Sequence, residues 1–251
     1  MSRILGVAFG VLFMVVPTWA GTPFGGDDTG FVPPSSAALS CAGKASILAS
    51  KASVNLVRCH MSLALDAFNG QQSGSSEEGC ETAITGKLGG SLSKLFAGGA
   101  CPQCLVDATT TLGDDLEAAR DADNGAVFCA GSVPLGDDDT GWVAPDVTTL
   151  KCELVVAKNL YKLRYCVAKC HYKAAKYAFK GLGFDDELCE SGDPLRSCLA
   201  RYNLYRDKIV PLCPSCLDAA AQDGLAVAAT ADADAGLGAF FCASPGGAFI
   251  D

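Results

Sequence analysis

The chain has 251 residues, with 28 acidic against 19 basic side chains and a formal net charge of −9 at pH 7. That balance excludes general binding to nucleic acid or to anionic membranes, where a basic surface supplies the affinity. Its 14 cysteines, an even number, predict a disulfide framework and hence an oxidising compartment.

The chain opens with Arg3, an apolar run from Ile4 to Val16, and small residues at Thr18 and Ala20. This order predicts a signal peptide over 1–20, cleaved after Ala20. The run is too short to span a bilayer and no second apolar span follows, so no transmembrane anchor is expected in the mature chain. Residues 244–251 carry no hydrophobic tail for a lipid anchor. A secreted or periplasmic protein is the reading.

Beyond Ala20 the chain repeats itself. Asp27-Asp28-Thr29-Gly30-Phe31-Val32-Pro33-Pro34 matches Asp138-Asp139-Thr140-Gly141-Trp142-Val143-Ala144-Pro145. Cys41 matches Cys152, Cys59-His60 matches Cys170-His171, and Ala67-Phe68 and Gly70 match Ala178-Phe179 and Gly181. Cys80-Glu81 matches Cys189-Glu190, Cys101-Pro102-Gln103-Cys104-Leu105 matches Cys213-Pro214-Ser215-Cys216-Leu217, and Phe128-Cys129 matches Phe241-Cys242. Two cysteine-rich units are predicted, over 21–134 and 135–251.

Each unit opens with a long helix, over 41–68 and 150–179, closed by Gly70 or Gly181. In the second, Leu160, Leu163, Val167, Cys170, Ala174 and Tyr177 fall on one face at three- and four-residue steps. A second helix is expected from Asp193-Pro194, with Leu195, Cys198, Leu199, Tyr202, Tyr205 and Ile209 at helical spacing. Its first-unit counterpart, Thr82 to Phe96, is interrupted by Gly86, Gly89 and Gly90, each costing about 1 kcal/mol relative to alanine. A third helix is expected from each Cys-Pro-x-Cys onward. No period-two strand is apparent, so the predicted fold is all-α: two tandem disulfide-stapled units, each of three helices.

The shared framework is Cys41, Cys59, Cys80, Cys101, Cys104 and Cys129, matched by Cys152, Cys170, Cys189, Cys213, Cys216 and Cys242. Cys166 and Cys198 occur only in the second unit, so one extra disulfide between them is the economical reading. Cys166 lies one turn before Cys170 on the same helix face. With the next element antiparallel, Cys170–Cys189 and Cys166–Cys198 become successive rungs, and Cys59–Cys80 follows by position. The remaining cysteines have too many connectivities to pair from sequence.

Several motifs invite chemistry. Cys-Pro-x-Cys, at Cys101/Cys104 and Cys213/Cys216, resembles the exchange motif of thioredoxin-like proteins, in which a helix N-terminus activates the first thiol. The βαβ setting of that motif is missing, and framework cysteines are the preferred reading. Haem attachment needs Cys-x-x-Cys-His, and neither Cys59-His60 nor Cys166-Val167-Ala168-Lys169-Cys170-His171 has that spacing. Zinc held by His60 or His171 with the Cys-x-x-Cys pair is also disfavoured, because adjacent Cys and His diverge by about 100° on a helix. No cofactor or metal is therefore expected, and the histidines are read as hydrogen-bonded within their units.

Asp28-Thr29-Gly30 and Asp139-Thr140-Gly141 copy the aspartic-protease triplet without its strands. Asp137, Asp138 and Asp139 lack EF-hand spacing, and solvated linker acids are the preferred reading. Lys158, Lys162, Arg164, Lys169, Lys173, Lys176 and Lys180 read as a solvated face, with an acidic partner as the alternative.

The recurring Cys…Cys-His…Ala-Phe-x-Gly…Cys-Glu…Cys-Pro-x-Cys-Leu pattern resembles that of uncharacterised secreted bacterial proteins built from tandem six-cysteine helical repeats. The resemblance implies the architecture and brings no activity. The format is also similar to saposin-like lipid-binding proteins, whose Cys-x-x-Cys pairs sit nearer the ends of the unit. The functional expectation is a non-enzymatic binding or structural protein of unknown ligand. The alternative is a thiol–disulfide redox protein using Cys101, Cys104, Cys213 and Cys216.

Overall fold

The computed structural model describes residues 30–71, 74–136 and 138–242. The expected signal peptide, the stretch from Asp27 to Thr29, Asp137 and residues 243–251 lie outside them.

Helix α1 (Ser36–Phe68) begins where the Ser35 hydroxyl accepts the Ala38 N–H, and it closes before Gly70, whose φ of 72° suits glycine. Its counterpart α5 (Val147–Ala178) begins at Asp146, whose carboxylate accepts the Thr148 and Thr149 N–H groups. The two long helices make the most extensive helix–helix contact in the molecule. Gly43 permits it, since a β-carbon there would collide with the Tyr172 ring.

Helix α2 (Gly74–Phe96) runs unbroken through Gly86, Gly89 and Gly90, with Leu88 and Leu92 buried. A β-carbon on any of the three glycines would meet nothing within 4 Å, so they line no packed surface. Tertiary burial here outweighs the propensity penalty.

The third helices do not start at the Cys-Pro-x-Cys motifs as expected. The first motif opens only α3 (Gln103–Ala108), and the Thr109 hydroxyl then donates to the Leu105 carbonyl. The long helix there is α4 (Leu112–Val127). The second motif opens a 3₁₀ turn, Ser215–Leu217, before Asp218 caps the start of the next long helix (Ala219–Phe240).

Asp193-Pro194 likewise starts a turn rather than a helix. The Asp193 carboxylate accepts the N–H groups of Leu195 and Arg196, and Leu195 is 84 % exposed. Helix α6 (Cys198–Ile209) begins at the Ser197 cap, after a π-helical turn over Leu188–Gly192. The helix over Ala219–Phe240 is α7. One antiparallel hairpin, β1 (Pro134–Gly136) with β2 (Asp139–Trp142), is the departure from an all-α fold among the described residues.

The helices do not segregate into two self-contained three-helix units. Phe128, at the end of α4, packs in one core with Leu150, Val156 and Leu160 of α5. Phe241, just after α7, packs in the other with Leu39, Ala42 and Ala45 of α1. The disulfides show the same exchange. Cys41–Cys101, Cys59–Cys80, Cys152–Cys213, Cys170–Cys189 and Cys166–Cys198 stay within one half of the sequence, whereas Cys104–Cys242 and Cys129–Cys216 cross between halves. The fold is an all-α, disulfide-rich bundle.

Two predictions follow from this packing. A single proteolytic cut between residues 131 and 138 should leave one species of full mass on a non-reducing gel and two fragments after reduction. Separation without reductant would exclude the crossing disulfides. The second concerns Glu153, which is fully buried and whose Oε1 accepts the Ala130 N–H at 3.2 Å. Burial pushes its carboxyl up to about 7, with Asp146 adding repulsion. The folded state therefore favours the protonated acid, and this stabilisation is lost as pH rises from about 4.5 through about 7. Glu153→Gln keeps the acceptor and cannot ionise. Its melting temperature should match wild type in acid and exceed it above neutrality, and a constant difference across that window would refute the assignment.

Candidate metal centre

Cys59-His60 on α1 faces Cys80-Glu81 on α2, and the Cys59–Cys80 disulfide clamps the helices beside the two polar residues. His60 Nε2 lies 2.7 Å from Glu81 Oε1 and 3.2 Å from Asp121 Oδ1 of α4. It lies 3.6 Å from both Glu77 Oε1 and Asp139 Oδ1. All five residues are buried. Glu77 and Glu81 stand one turn apart on α2, and Asp139 arrives from β2.

The Asp139-Thr140-Gly141 triplet has a structural explanation. Asp139 is buried and accepts a hydrogen bond from Asn124 Nδ2 at 3.0 Å, so it is not a solvated linker acid. The Thr140 hydroxyl donates to the Asp121 carbonyl and accepts the Gly125 N–H, which docks β2 on α4. Gly141 has φ 117°, and a β-carbon there would come within 2.9 Å of the Phe128 carbonyl oxygen. The triplet thus inserts a carboxylate between helices.

A second cluster repeats the first. His171 Nε2 lies 2.7 Å from Glu190 Oε1 and 3.2 Å from Asp234 Oδ1, and Cys170–Cys189 clamps the chain beside it. His171, Glu190 and Asp234 are buried, as is Asp186, which stands four residues before Glu190 as Glu77 does before Glu81.

Four carboxylates around one imidazole form a buried acidic pocket. Burial, reinforced by Glu81, pushes Glu77 up to about 8. Burial likewise raises Glu81 to about 8, with Asp121 and Asp139 adding repulsion, and raises Asp139 to about 7. Asp121 is raised as well, again chiefly by burial. Glu77 Oε1 and Asp139 Oδ2 are buried with no hydrogen-bond partner.

Ligand atoms sharing one ion at about 2.1 Å stand roughly 3.0 to 3.4 Å apart, close to the spacing around His60. Such a ligand set of imidazole nitrogen and carboxylate oxygen suits a divalent transition metal better than calcium or a thiolate-seeking ion. The sequence reading paired the histidines with cysteines, whereas the structure surrounds them with acids.

The cysteines of the exchange-like motifs do not pair with each other. Cys101 bonds Cys41, Cys104 bonds Cys242, Cys213 bonds Cys152 and Cys216 bonds Cys129. The basic strip of α5 is not uniformly solvated either. Arg164 turns inward to Asp123 and Asp232, while Lys162 and Lys169 lie over the rings of Tyr205 and Tyr165. No helix among the described residues is long and apolar enough to cross a membrane. No protein-family model, curated protein or solved structure matches the chain.

Gly141→Ala tests how Asp139 is delivered. Strain at positive φ together with the Phe128 contact should cost about 1–3 kcal/mol in chemical denaturation. Wild-type stability in that variant would show that the triplet does not dock as described.

Proposed function

We propose that the protein is a secreted or periplasmic, non-enzymatic binding protein of two interlocked, disulfide-stapled helical halves, whose ligand is a divalent transition-metal ion. The His60 centre holds one ion through His60 and carboxylates drawn from two groupings that share it, His60 with Glu81 and Asp121 and His60 with Glu77 and Asp139. The His171 centre holds a second through His171, Glu190 and Asp234.

The observation that carries this reading is the placement of four buried carboxylates within 3.6 Å of His60 Nε2. Burying several acids together is unfavourable unless charge is compensated, and a single histidine cannot compensate four of them. A divalent cation supplies the missing charge and accepts the lone pairs of Glu77 Oε1 and Asp139 Oδ2. The same two shortest contacts recur around His171, which supports a built centre in each unit. Burial suits a resident ion, one that adds to stability because it binds only the folded chain.

The test uses the full chain exported through an oxidising compartment. Elemental analysis of the purified protein, followed by chelation and calorimetric titration with Zn²⁺ and separately Mn²⁺, should give two ions per chain. Glu81→Gln with Asp121→Asn should remove one ion, and Glu190→Gln with Asp234→Asn the other. A purified protein without metal, whose chelated form also takes up neither ion, would overturn the reading.

A further inference from the structure

We propose that a cavity between α1, α4, α5 and α7 binds a small amphiphile, a carboxylate on a short apolar chain, with its head held by Arg120 and Arg164. The cavity measures about 210 Å³. Voids of about 150 Å³ in helical proteins admit benzene, so this one has room for a chain of roughly six to eight carbons. Its walls include Val54, Leu112, Leu116, Leu237 and Phe240, and both arginines line it.

The arginines carry the argument for the head. Arg120 Nη2 lies 3.2 Å from Asp123 and 3.6 Å from Asp232, and Arg164 Nη2 lies 2.9 and 3.4 Å from the same two carboxylates. Those contacts use one nitrogen of each guanidinium. Arg120 Nε and Nη1 and Arg164 Nε are buried without a hydrogen-bond partner, although Arg120 is only 7 % exposed. Buried donors left unmade are costly, and a planar carboxylate is the acceptor that matches a guanidinium edge.

The space itself comes from a difference between the two halves. Ser50 and Ser53 of α1 line the cavity and stand, in the repeat, where α5 carries Tyr161 and Arg164. Ala233 and Gly236 of α7 keep the opposite wall small. A half-open apolar cleft with a few convergent polar groups is the usual form of a small-molecule site. This inference does not rest on the metal reading, because the head is held by arginines and not by either ion.

The test is calorimetric titration of chelated, oxidised full chain with octanoate and with 1-octanol. Octanoate should bind, and octanol should bind roughly tenfold more weakly or worse, because it lacks the charged acceptor. A β-carbon at Gly236 meets nothing within 4 Å, so Gly236→Leu should fill the cavity and abolish binding while thermal unfolding stays cooperative. Arg120→Gln should erase the preference for octanoate over octanol. Absence of octanoate binding at millimolar concentration, or unchanged binding by Gly236→Leu, overturns the site. Equal affinity for the two probes, or octanoate binding that requires added Zn²⁺, overturns the arginine head.

Discussion

The Cys59–Cys80 and Cys170–Cys189 disulfides each fix the point at which a histidine meets a glutamate, and the rest of the structure is arranged around those two points. In both, the residue following one cysteine is the histidine and the residue following the other is the glutamate. A disulfide holds its α-carbons about 5.5–6 Å apart, which sets the next side chains within hydrogen-bonding reach. An aspartate from a later helix then closes each cluster. The crossing disulfides Cys104–Cys242 and Cys129–Cys216 hold the ends of α4 and α7 against the opposite half. The Asp121 and Asp234 helices are thereby tied down at their C-terminal ends.

That arrangement imposes an electrostatic problem which the bundle does not solve with its own side chains. Around His60, the one potential cation faces four carboxylates. With Glu77, Glu81 and Asp139 raised to between about 7 and 8, protons compensate the charge in the metal-free chain. A divalent ion replaces those protons and also uses lone pairs that protonation leaves unmatched. The Arg120–Arg164–Asp123–Asp232 network shows the contrasting solution. There opposite charges balance two against two, but several guanidinium N–H groups are left without acceptors.

The all-α, disulfide-rich class was readable because cysteine content and helical periodicity are local signals. The exchange of Phe128 and Phe241 between the cores was not, because repeated sequences read the same whether each copy packs on itself or on its twin. Helix starts failed where a short turn intervened, as at Asp193, whose carboxylate caps three residues of turn instead of a helix. The centre was half visible. Cys-His stood out as a motif but was weighed only with cysteines as the other ligands, and Cys-Glu was noted only as a match between halves. The aspartates lay in Ala/Asp-rich stretches, assigned only to a third helix, with no motif around them. One signal was available: Asp121 and Asp234 stand equally far before the closing cysteines Cys129 and Cys242.

The extra disulfide of the second half has a mechanical reason. In the first half the glutamates sit on α2, one continuous helix of 23 residues, so a single clamp at Cys80 fixes their position. In the second half the corresponding chain is broken into a π-helical turn, a capped turn and the 12-residue α6. A clamp at Cys189 alone would fix Glu190 on a five-residue turn with no rigid element behind it. Cys166–Cys198 ties the start of α6 to α5 one turn away, with Cys198 Sγ 3.6 Å from Cys170 Sγ. The two rungs together bracket the irregular segment and restrict its unfolded alternatives, which is how a crosslink stabilises. Continuity of helix in one half and a second crosslink in the other are two solutions to one requirement: a glutamate held still beside a buried histidine.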